Sequence, residues 1–241
     1  GQLVLGHAGF MLVGAYASAL FTKNVGMALP ISFPISLVLA GLLAALFGVI
    51  IGIPALRLRG DYLAIITLGF GEIIRVLANA DFLKPITNGA MGLGDIPTLY
   101  NRRTSPAGLF VYAFIIMVLV IVINFSFGRS RHGRAVIAIR EDEIAAESAG
   151  VNTTYYKLFA FVLAAFIAGV AGGLYANQIQ VIDPAKFDFN RSVEILIMVV
   201  LGGMGSITGS IISATVLTVL PEMLRGFDEY RMLLYSIILI A

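Results

Sequence analysis

Glu72 and Arg75 stand three residues apart inside the apolar run from Tyr62 to Ala80, which also holds Thr67 and Asn79. At that spacing two side chains share one helix face and can pair, which offsets part of the cost of holding charge at membrane depth. Two roles fit them: a structural ion pair turned toward the protein interior and away from lipid, or a place on a solute path. His7 and Glu194 are the other ionisable groups within apolar runs, and each reads as a capped or interfacial group rather than a catalyst. There is no cysteine, which excludes disulfides and thiolate metal sites, and two histidines are too few for an imidazole-rich metal centre. Gly89, Gly92 and Gly94 are not followed by Gly-Lys-Ser/Thr and follow no strand, so they form no phosphate cradle. With no nucleotide-binding loop, zincin helix or nucleophile elbow, the chain is expected to carry no catalytic residue, metal or cofactor.

A second cluster, Arg129 to Gly150, is charge-dense and helix-compatible, and it lies between two apolar runs. Arg129, Arg131, Arg134 and Arg140, with Lys157 following, assign this connection to the cytoplasm by the positive-inside bias. Asp142 can cap a short helix at 143 to 149, and Gly150 can close its C-terminus. Such a helix is a natural docking knob. The alternative is a solvated loop whose arginines only set orientation.

The elements around these residues follow from composition. Hydrophobic residues make up 59% of the 241 positions and charged residues 12%, about half the charged content of a soluble domain. Apolar stretches approach the roughly 20 residues that a helix needs to cross a bilayer, so the expectation is an all-α integral membrane protein, a polytopic helical bundle. A net charge of +2, with the basic residues in loops, speaks for orientation and against nucleic acid. The whole of 1–241 reads as one transmembrane domain, with both ends inside apolar runs as though trimmed.

Along the chain, Leu3 to Thr22 is interrupted by Gly6, Gly9 and Gly14 and predicts a broken or half-depth helix. After a connection carrying Pro30 and Pro34, Ile35 to Ile53 crosses inward to Arg57 and Arg59. Tyr62 to Ala80 crosses outward to an external loop, 82–106, rich in Gly, Pro, Asn and Thr. Ala107 to Phe127 crosses inward, Tyr155 to Ala176 crosses out with Gly169, Gly172 and Gly173 set for close helix contact, and 177–191 is external. From Arg191 to Arg225 two apolar pieces flank Gly202-Gly203-Met204-Gly205-Ser206. This predicts a re-entrant hairpin of half-helices, with a single broken span as the alternative. Leu5-Gly6-x-x-Gly9 echoes Leu201-Gly202-x-x-Gly205 and hints at an internal repeat of paired helix breaks. Tyr230 to Ala241 begins a last span.

Four blocks of residues now resemble a known family. They are Leu5-Gly-His-Ala-Gly-Phe10, the run from Gly52 to Gly69 with Glu72 and Arg75, Thr87 to Pro97, and Val200 to Gly209. Together they are similar to the permease subunits of branched-chain amino acid ABC importers, the LivM family. Ala145-Ala146-x-x-x-Gly150 looks like the core of the loop that such permeases present to their ATPases, although Ile144 stands where an acidic residue is usual and Glu143 lies one place earlier. The resemblance implies a non-catalytic subunit in a bacterial or archaeal cytoplasmic (inner) membrane. Its implied partners are a second homologous permease, two cytoplasmic ATPases and an external solute-binding protein. It makes 129–152 the ATPase-coupling segment, with Arg134, Arg140, Glu141, Asp142, Glu143, Ala145, Ala146 and Gly150 as its contact residues. It sets Gly6, Gly9, Gly202, Gly203, Gly205 and Ser206 at helix breaks or along the path. The implied solute is a branched-chain or related hydrophobic amino acid, with urea, short amides and aromatic acids handled by relatives. A self-sufficient secondary transporter or channel is the rival reading, since broken helices would serve it equally well.

Overall fold

The computed structural model describes residues 4–26, 28–56, 58, 61–98 and 106–223. Arg57, Arg59, residues 99–105 of the expected external loop, Arg225 and the final run from Tyr230 lie outside the described residues. Among the described residues there are ten α-helices, two short 3-10 turns, one isolated β-bridge and no strand. Four helices are long and apolar enough to cross a membrane. These are α2 (Leu29–Ala55), α3 (Asp61–Asn79), α5 (Pro106–Arg129) and α8 (Thr153–Ile179). The protein is an all-α polytopic membrane protein. Its chain divides into two compact units, Gly1–Ser192 and Val193–Ala241.

The first unit is built on α1 (His7–Asn24), α2 and α8. Ala40, Ala44, Gly48 and Gly52 recur every fourth residue on α2, as Ala165, Gly169 and Gly173 do on α8, so each helix offers a ridge of small side chains. The backbones therefore approach closely. A Cβ added at Gly14 of α1 would overlap the Gly169 carbonyl, and one at Gly172 would overlap that of Met11. The expected packing role of the α8 glycines is what the geometry gives them. Phe10 fills the centre, 5.3 Å from the Phe70 ring of α3 and 5.7 Å from Phe161 of α8.

Two expectations are corrected here. The first helix is not broken: α1 runs without interruption, with Gly6 at its N-cap and Gly9 and Gly14 inside it. Gly9 is small because Gly71 lies against it, so a tertiary contact, not a break, explains the residue. The connection carrying Pro30 and Pro34 is likewise helical, forming the first turns of α2. Pro30 falls where the missing N–H has no intrahelical partner to lose.

The ends of these helices are tied together on one side. α4 (Lys84–Thr87) and a 3-10 turn at Gly89–Met91 fold the start of the 82–106 loop back on α3, where the Thr87 hydroxyl donates to the Ala78 carbonyl at 2.8 Å. Leu93 and Ile182 exchange backbone hydrogen bonds at 3.0 and 2.9 Å, and Lys23 at the end of α1 donates to the Gly94 carbonyl. The start of the first loop, through Gly94, and the loop 177–191 thus lie on the same side of the first unit. At the other end Phe127 of α5 meets Phe159 of α8, and the His132 ring lies tilted against Tyr156 and Phe159. Such aromatic clusters suit a membrane interface.

In the second unit α9, which starts at Phe189 in the first unit, ends at Leu201, and α10 covers Ile207–Met223. Between them the chain turns at Gly203 and Gly205, whose φ values of +88° and +96° favour glycine.

Candidate functional site

The segment between α5 and α8 is two helices, not one loop. Ser130 caps α6 (Arg131–Glu141), its hydroxyl accepting from the Gly133 amide at 3.0 Å and donating to the Phe127 carbonyl at 2.7 Å. Gly133 allows the tight return, since a Cβ there would overlap Phe127. Asp142 is extended and separates α6 from α7 (Glu143–Ser148), and its carboxylate accepts the Ile144 and Ala145 amides at 2.9 and 3.0 Å. At the far end Gly150 takes φ +82°, its amide donates to Glu147 and that of Val151 to Ala146. That pair of bonds is the Schellman closure. Asn152 then caps α8 through Tyr155.

The predicted residues of this segment have distinct surroundings. Arg134 is exposed and donates to the Arg129 carbonyl. Arg140 pairs with Glu141 at 2.6 Å on the surface. Glu143 turns back to Lys157 of α8 at 2.5 Å. Ala145 is exposed, whereas Ala146 is buried. Sequence reasoning missed the partners Lys157 and Thr153, and the Ser130-x-x-Gly133 capping spacing was the readable signal for α6.

Within the apolar helices, Arg75 donates to Glu72 through Nη2 at 2.7 Å and Nε at 2.8 Å. Both side chains are 32% exposed, so the pair is neither enclosed nor fully open. Glu72 lines a narrow crevice with Leu5, Ala8, Gly71, Asp188 and Ser192. The N-terminus of α1 opens there. Gly6 has no capping side chain; the Ala8 amide, one of the helix's orphan donors, is met by Ser192 at 3.2 Å, and the Leu5 amide just before the cap donates to Thr67 at 3.0 Å.

Gly202, Gly203 and Gly205 form the break between α9 and α10, and Ser206 caps α10 by accepting from Gly209 at 3.1 Å. Gly209, absent from the predicted site residues, is required there because a Cβ would overlap the Gly202 carbonyl. The two Leu-Gly-x-x-Gly stretches do not share a conformation. One leads into a helix, with Gly9 inside α1, and the other leaves a helix, with the matching Gly205 in a turn at φ +96°, so the expected repeat is not seen. Among the described residues no group of three or more His, Asp or Glu is placed to hold a metal ion.

The profile of the family described as branched-chain amino acid transport system / permease component matches residues 1–241. The chain belongs to that family. It is 40% identical, over 97% of its own length, to the high-affinity branched-chain amino acid transport system permease protein LivM of Salmonella typhimurium and to LivM of Escherichia coli. Similarity extends to LivH of Salmonella typhimurium, 29% identical over 66% of this chain and 56% of that protein. The chain spans 60% of the length of the two LivM relatives. No solved structure matches significantly.

Proposed function

We propose that the chain is a permease subunit of an ABC importer and forms part of the translocation path for branched-chain or related hydrophobic amino acids. It works with a second homologous permease, two cytoplasmic ATPases and an external binding protein, in a bacterial or archaeal inner membrane. The observation that carries this reading is the capped pair α6–α7 projecting between two spanning helices of a chain in this family. A connection needs no such construction merely to return to the membrane. Segment 129–152 is read as the ATPase-coupling element, and the Glu72–Arg75 face with its crevice as lying beside the path.

Proteoliposomes holding the complete importer test it. Leucine uptake is expected to need ATP on the cytoplasmic side and the binding protein on the other. Uptake by the chain alone, without ATPases, would establish the secondary transporter or channel instead.

A further inference from the structure

Over Glu143–Ser148 the helical repeat sets Glu143, Ala146 and Glu147 on one side of α7 and Ile144, Ala145 and Ser148 on the other. The first set is engaged inward. Glu143 meets Lys157 with side chains only 30% and 16% exposed, Ala146 is buried, and Glu147 accepts from the Thr153 hydroxyl at 2.7 Å. Asp142 is occupied by the cap. The outward set carries no charge, and its one large side chain, Ile144, is 74% exposed.

Lipid does not cover that side chain. Glu141, Asp142, Glu143 and Glu147 all lie within a turn of it, and four carboxylates hold the segment out of hydrocarbon. A lone exposed isoleucine is ordinary on a protein surface. Here, however, it crowns a helix fixed by an Asp cap, a Schellman closure and an ion pair to α8, so a rigid apolar projection is presented ready-made. The exposed charges nearest to it, Glu141, Asp142 and Glu147, are acidic, which makes an apolar socket with a basic rim the complementary surface.

We infer that Ile144 is the anchor by which an ATPase subunit grips this chain, and that Glu143 is a positioning residue that orients α7 through Lys157 without touching the partner. This rests on the reading of 129–152 as the coupling segment. It gives the exposed Ile144 to the partner and the inward-turned Glu143 to the fold.

The test uses the permease pair in lipid nanodiscs, with its own ATPase subunits added back, reading their apparent Kd and the melting temperature of the pair alone. Ile144→Ser is expected to weaken ATPase binding by about ten- to a hundred-fold, the value of burying one such side chain, with the melting temperature unchanged. Ile144→Leu restores it. Glu143→Gln and Lys157→Met each break the same pair, so they are expected to weaken binding equally, by less than about five-fold. A Glu143→Gln loss far greater than that of Lys157→Met would show the acid to be a contact and overturn the inference. So would Ile144→Ser binding within about two-fold of the parent while Gly150→Val releases the ATPase, since the segment would then dock by other residues. Parent-like binding by both Ile144→Ser and Gly150→Val would overturn the coupling reading itself.

Discussion

Gly150 closes α7 with φ +82° and open space where a side chain would stand, so the residue is demanded by its backbone and not by a neighbour. Gly150→Val is expected to cost about 1 to 2 kcal/mol locally, the usual penalty for a side chain in the left-handed region. Thermal melting should drop modestly while ATP-driven uptake falls severely, because α7, the proposed coupling helix, frays. Asp142 and Gly150 were legible in the sequence because caps depend on a few adjacent residues. The Glu143–Lys157 pair was not, because it forms only once α6 and α7 have turned the chain back onto α8. Glu72 and Arg75 were legible for the opposite reason: their three-residue spacing on one helix carries the pairing. Glu72→Ala and Arg75→Ala should each destabilise by about 1 to 2 kcal/mol, below the value of a fully buried pair because both groups are 32% exposed. The double variant should be the more stable, since neither charge is left alone. If the double variant melts at or below the worse single, the pair is not a structural unit.

At the scale of elements, long apolar helices announce themselves and their internal glycines mislead. A glycine reads the same whether it breaks a helix or admits another backbone, and only the neighbour distinguishes Gly9, facing Gly71, from Gly203 in a true turn. Replacing Gly169 with Leu is expected to cost about 1 to 3 kcal/mol or to prevent folding, as overpacking does. Gly69→Leu on α3, which meets open space, should melt within about 0.5 kcal/mol of the parent. Equal losses at both sites would mean that the α1–α2–α8 contact is not what the glycine serves. Of the two pieces around Gly202, α9 has 13 residues, about 20 Å, and α10 has 17, about 25 Å. The re-entrant arrangement proposed for them expects cysteines at Asp188 and Met223 to be labelled by an impermeant reagent from the same side. Labelling from opposite sides would establish a crossing, kinked span.

Across the whole molecule, the grouping of α1, α2 and α8 was the least legible feature, because helices apolar on every face do not declare their partners. What hydropathy records is affinity for lipid, and in this chain that differs from participation in the core. The most apolar stretch, Phe110–Arg129 of α5, has no buried residue, whereas α1, enclosed by its neighbours, is not among the helices apolar enough to span unaided. The same contrast sets an order of assembly at the ribosome. α5 can leave the translocon and partition into the bilayer as soon as it emerges, needing no other helix. The polar backbone at the start of α1 has to wait for Thr67, and then for Ser192, before its amide donors are satisfied. In a glycosylation-reporter insertion assay α5 alone is therefore expected to integrate fully. α1 alone should integrate poorly and gain efficiency only when the chain is extended through α8 and Ser192; autonomous insertion of α1 would dissolve that order.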